Sequence, residues 1–166
     1  MSFDIDSLDV GIARTMKKFG VRALQISLAV IFVWFGGLKI AGISPAAGLV
    51  LATVNWMPFF APETWLKIIG WWEVIIGVSF LFHRTKRIAI ALLAMQMAGT
   101  FLPLLILPEI TFQPGRYPYA PAIEGQYIIK NLLIISAAIV VGGTVRPTDK
   151  SLNTESIYFD DRKNSS

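Results

Sequence analysis

The sequence predicts an all-α integral membrane protein, a four-helix bundle with both termini on the inner side. Three observations predict it: four apolar stretches of spanning length, too few charges to wet a water-facing surface, and a lopsided placement of lysine and arginine. Of 166 residues, 54% are apolar and 16% charged, and the mean hydropathy is +0.59. A soluble domain carries roughly 25% charged residues. That balance argues against a soluble enzyme, and the chain is not expected to be an enzyme on its own. With no cysteine it has no disulfide, thiol redox chemistry, iron–sulfur cluster or Cys-based zinc site, and the one histidine, His83, cannot hold a haem between two histidines. Neither a metal site nor an intrinsic cofactor is expected.

In chain order, residues 1–20 form a cytoplasmic lead, its first dozen residues mobile, and 21–143 form the membrane domain. About 20 apolar residues cross a core of about 30 Å. The first span, about 21–41, follows basic residues like a secretory signal, but its apolar run is too long and no small-residue cleavage site ends it. It is read as retained. The next segment, ISPAAGLVLATVNWMPFFAPET, is apolar but broken by Pro45, Pro58 and Pro62. An interfacial or re-entrant turn is expected there, with Trp56, Phe59, Phe60 and Trp65 at headgroup level.

The second span, about 65–82, is joined to the third, about 88–107, by HRTKR, which is short enough only for a tight antiparallel pair. The loop PEITFQPGRYPYAPAIEG holds four prolines and suits an extended cap over the outer mouth. The fourth span covers about 126–143, and 144–166 turns polar, as a mobile cytoplasmic tail does.

Orientation follows from charge. With the N-terminus inside, eleven basic residues fall on the inner side, among them Arg14, Lys17, Lys18 and Arg22, then Arg84, Lys86 and Arg87, with the rest in the tail. Lys39, Lys67, Arg116 and Lys130 fall on the outer half. The excess gives N-in, C-in, in the cell's inner (plasma) membrane. No contiguous basic surface remains for nucleic acid, so the expected partner is the lipid bilayer.

Charges inside the spans carry the functional information. A lysine or aspartate at mid-bilayer costs about 2.5–3.5 kcal/mol on insertion scales, so such residues face protein or water and have partners. Glu73 lies eight residues after Trp65, about 12 Å below the outer boundary. It shares a stripe with Gly70 and Gly77 that lets another helix approach closely. On the first span Gln25, Phe32, Gly36 and Lys39 form a similar stripe, and on the third Gln96, Gly99, Thr100 and Pro103 do. The fourth carries Gln126, Lys130 and Ala137 on one face, with Glu124, Tyr127 and Asn131 on the adjacent one. The candidate polar cluster is therefore Lys39, Glu73, Gln96, Tyr127, Lys130 and Asn131. One reading makes it a ligand pocket, with Lys39 and Lys130 holding Glu73 ionised and Gln96 and Tyr127 supplying neutral hydrogen bonds. The other makes it an ion pair of Glu73 with Lys39 or Lys130 that sets helix register and does no chemistry. Trp71 and Trp72 read as packing and belt residues, and His83 as a solvated loop histidine.

The runs SLAVIFVWFGGLKIAG, IGWWEVIIGVSFLF and EGQYIIKNLLIIS resemble the DoxX-like superfamily of small four-helix membrane proteins. The likeness rests on the glycine-rich end of helix one closing on Lys39, on Glu73 followed by Gly77, and on Lys130–Asn131. It implies an inner-membrane four-helix bundle and, in some members, association with sulfur or quinone redox systems or with resistance to oxidants. The leading expectation is thus a redox-accessory or small-ligand membrane subunit, a quinone being the best single guess. One alternative is a structural subunit of a larger membrane complex or a homo-oligomer. Another is a proton or small-solute conduit, which lacks half a path because the intramembrane charges lie on the outer side.

Overall fold

The computed structural model describes residues 5–144, and the expected tail lies outside the described residues from 145 onward. Among the described residues eight α-helices follow one another: α1 Ile5–Ile40, α2 Ala47–Val54, α3 Pro62–Leu81, α4 Lys86–Phe101, α5 Pro103–Ile106, α6 Pro108–Thr111, α7 Ile123–Lys130 and α8 Leu132–Gly142. A single 3₁₀ turn, His83–Thr85, joins α3 to α4. Among the described residues there is no strand, only an isolated bridge between Phe112 and Pro121.

Among the described residues four stretches are long and apolar enough to cross a membrane: Asp9–Ile40, Pro62–Leu81, His83–Ile106 and Ile123–Gly142. Two of them contain a break with a local cause. Pro103 has no N–H to give the Gly99 carbonyl, so the Leu102 N–H turns back to it at 3.3 Å and the helix restarts as α5. At Asn131 the backbone N–H bonds the Ile128 carbonyl at 3.0 Å, and the side-chain amide takes the Tyr127 carbonyl at 3.2 Å. Helix α3 starts at Pro62, three residues before the expected Trp65, because proline suits the first helical position.

Helix α1 departs most from the sequence expectation. It is helical from Ile5, through the stretch expected to be a mobile lead, and its 36 residues make a rod of about 54 Å. The Gln25 amide donates to the Phe80 carbonyl, next to the end of α3. Val21 and Leu24 still pack on the core, and residues 9–19 before them are all exposed.

The four long units form a closed ring in which α3 sits between α1 and α4, and α8 touches both α4 and α1. The core inside it is made of Leu28, Ala29 and Phe32 of α1 with Ile76 and Phe80 of α3, and of Ala89, Leu93 and Met97 of α4 with Ala138 and Val141 of α8. These positions recur at three- and four-residue intervals, as one face of each helix requires. Inside a bilayer the attraction between helices comes from close packing, so the small residues matter most. A Cβ on Gly77 would stand 2.8 Å from the Ala29 carbonyl oxygen, which makes α1–α3 the closest pairing.

Beyond one end of the ring, α2 packs on α3 within the expected interfacial segment and buries Thr53 and Val54. Trp56, Phe59 and Phe60 stand exposed after it. The proline-rich loop is more folded than an extended cap. It opens with the short helix α6, then folds back so that Gln113 N–H bonds the Ala120 carbonyl at 3.0 Å and Ala122 N–H the Thr111 carbonyl at 2.9 Å. The Phe112 and Tyr117 rings meet edge to face, 4.9 Å apart.

Candidate functional site

Three of the four ring members bring a polar side chain to one point. Lys39 stands in the last turn of α1, where the carbonyl end of the helix dipole favours a cation. Its Nζ donates to Oε2 of Glu73 at 2.6 Å. The Gln96 amide of α4 donates to the other carboxylate oxygen, Oε1, at 3.1 Å. The two charged side chains are only 8% and 11% exposed, so the pair is held away from solvent and lipid alike. Glu73 is the twelfth of the 20 residues of α3. It lies about 16 Å from the start of that helix, deeper than a helix starting at Trp65 implies.

The surrounding packing holds the three in place. Gly36 and Gly70 bracket the pair on α1 and α3, and removing their side chains lets Lys39 and Glu73 reach one another at short range. On the α4 side the Thr100 hydroxyl bonds the Gln96 carbonyl at 2.9 Å, and the Trp72 indole N–H bonds the Leu92 carbonyl at 3.3 Å. Trp72 thus joins α3 to α4, one residue from Glu73.

Of the six candidate residues, Lys39, Glu73 and Gln96 meet, whereas Tyr127, Lys130 and Asn131 gather elsewhere. Lys130 and Tyr127 are exposed, and Lys130 Nζ sits over the Tyr127 ring, 5.4 Å from its centre. Asn131 is occupied by the helix break described above. Helix α7 packs against α4 and α6, so its lysine has no place beside the carboxylate on α3. The ion pair is therefore with Lys39, one of the two lysines the sequence offers.

Lys86 is the residue the sequence reading passes over. Assigned to a loop, it opens α4 and is buried at 8% exposure at the opposite end of the ring from α2. Its signal was in the spacing: Lys86, Ala89, Leu93 and Met97 fall on one helical face, and all four are buried.

An open depression of about 450 Å³ lies between α2, the start of α3 and Leu107. It is lined by Leu51, Ala52, Asn55, Pro62 and Glu63 besides Leu107, and none of the six candidate residues reaches it. Nearby, the Trp65 indole N–H is buried with no partner among the described residues, its ring edge-on to Phe60. No three His, Asp or Glu side chains come together as metal ligands among the described residues. Chemically, the Lys39–Glu73–Gln96 cluster is a neutral, internally bonded unit: each carboxylate oxygen has a donor from the chain itself. Comparison with protein-family models, curated proteins and solved structures finds no match to this chain.

Proposed function

We propose that this chain is a multi-pass subunit of the cell inner membrane, N-in and C-in, that works through the surfaces of its bundle and not through a reaction of its own. In this reading the Lys39–Glu73–Gln96 cluster is a register lock between α1, α3 and α4. The carrying observation is that both oxygens of Glu73 are bonded from within the chain, at 2.6 and 3.1 Å. A carboxylate meant for a ligand opens onto a space for it, whereas Glu73 is buried and the depression beside α2 is lined by other residues. Four crossings would leave both ends of the bundle on one side, and the excess of lysine and arginine in the sequence supports the inner side. The α2 segment then sits at the outer interface with its exposed aromatic residues among headgroups. A role as accessory subunit is also what the DoxX-like resemblance implies, without the redox chemistry found in some members.

Thermal melting of the purified protein in mild detergent, with and without a short-chain ubiquinone, tests this reading. The expected result is no change in melting temperature at any quinone concentration. A saturable rise that disappears in Glu73→Gln would overturn it in favour of a quinone-binding, redox-accessory subunit.

A further inference from the structure

Among the described residues two lysines are buried, and the chain answers only one of them. Lys39 has the carboxylate of Glu73. Lys86, at the opposite end of the ring from α2, is 8% exposed and has no carboxylate or other acceptor of the described residues within bonding reach. Helical spacing fixes its place. It continues the inward stripe of Ala89, Leu93 and Met97 by one turn, and those three belong to the core. The end of α8 lies level with it: a Cβ on Gly142 would stand 3.2 Å from Cδ1 of Ile90, one turn along α4. The tip of the side chain is not sealed. Among the described residues the Trp65 indole is the one unpartnered side-chain nitrogen that is fully enclosed, so the Lys86 ammonium keeps an opening to the outside. A buried stem with its charged head at an opening is how a lysine reaches a bilayer boundary. The spanning stretch His83–Ile106 puts it there, with Lys86 about 4.5 Å from one end.

The groups around that opening are cationic. His83, Arg84 and Arg87 are exposed beside Lys86 in the chain. Arg22 joins them from α1: it precedes Gln25 by one turn on the same face, and Gln25 bonds the Phe80 carbonyl, so Arg22 stands level with the turn His83–Thr85. Among the described residues no carboxylate offsets the group. Glu73 is held by Lys39, Asp9 lies about 20 Å along α1 from Arg22, and Glu63, Glu109 and Glu124 belong to the end of the ring where α2 packs. We propose that Lys86, with Arg22, Arg84 and Arg87 around it, is a binding site for the phosphate of an anionic membrane lipid. A buried ammonium among like charges is destabilised until an anion joins it. Phosphate offers several oxygens at once, which suit a point charge flanked by the forked donors of arginine. The lipid is the source because the opening lies at the headgroup boundary, and basic pockets between helices on the cytoplasmic side take anionic head groups. The site goes beyond the surface reading above and shares no residue with the Lys39–Glu73–Gln96 cluster.

The test is thermal melting of the purified protein in mild detergent with added phosphatidylglycerol, phosphatidylcholine or inorganic phosphate. Phosphatidylglycerol should raise the melting temperature saturably, and phosphatidylcholine should not. Lys86→Met should weaken half-saturation about tenfold, the loss of one hydrogen bond between charged groups. Lys17→Met removes the same charge from an exposed position at the same end and should respond like the parent. A Lys86→Met variant that keeps the parent's response, or a Lys17→Met variant that loses as much, would overturn the inference, because the lipid then answers overall charge and not this lysine. A rise with inorganic phosphate at matching concentration, lost in Lys86→Met, would overturn the lipid as source and assign the site to free phosphate. Native mass spectrometry of the parent needs no variant: phosphatidylglycerol should stay on the chain where phosphatidylcholine is stripped, and equal retention of the two contradicts the site. A ubiquinone response beside an intact phosphatidylglycerol response sinks the surface reading alone.

Discussion

Gly36 of α1 and Gly70 of α3 meet backbone to backbone: a Cβ on Gly36 would stand 2.6 Å from the Gly70 carbonyl oxygen, and one on Gly70 2.8 Å from that of Gly36. This contact brings Lys39 and Glu73 within bonding distance, since each lies one turn from its glycine. Fixed backbone cannot yield as a flexible side chain does. Gly36→Ala is therefore expected to destabilise the protein by about 1–3 kcal/mol, the usual cost of overpacking. Gly37→Ala next door meets nothing within 4 Å and should melt like the parent. Detergent melting curves of the two variants, run side by side, check the difference.

The sequence offers both Lys130, as a cation for Glu73, and Gln96, as a neutral donor, and the structure separates them. Gln96→Leu leaves Oε1 of Glu73 buried without its donor, which costs about 1–3 kcal/mol. Lys130→Ala removes an exposed cation over an exposed ring and should stay within about 0.5 kcal/mol of the parent. Equal melting temperatures for the two would contradict the placement.

In the proline-rich loop, a Cβ on Gly125 would collide with the Thr111 carbonyl oxygen, the acceptor of the Ala122 N–H. Gly125→Ala should loosen the fold-back between Phe112 and Pro121 while leaving the helical ring intact. Limited proteolysis is the measure: faster cleavage within 112–121 with unchanged helical circular dichroism is expected.

Much of this was legible in the sequence, and the exceptions have physical reasons. Runs of about 20 apolar residues located the four spans. Three-and-four spacing put Glu73 with Gly70 and Gly77, Lys39 with Gly36, and Gln96 on the inward faces. Which lysine pairs with Glu73 was not legible, because helical periodicity says which face turns inward but not which helix stands opposite. The ring order, with α3 between α1 and α4, decides it for Lys39. The length of α1 was hidden by Arg14, Lys17, Lys18 and Arg22, whose charges end the hydropathic span but not the helix. Lys86 was hidden the same way, a basic residue beside a turn that belongs to the buried face of α4.

The central claim is that the chain answers the Glu73 charge by itself. A double-variant cycle over Lys39 and Glu73, followed by unfolding in detergent, tests it most directly. Removing one partner, in Lys39→Met or Glu73→Leu, strands the other charge and should cost about 3–5 kcal/mol, whereas the joint variant, apolar at both positions, should recover most of that loss. Single variants that melt like the parent, or a joint variant as unstable as the two losses added together, would contradict the account.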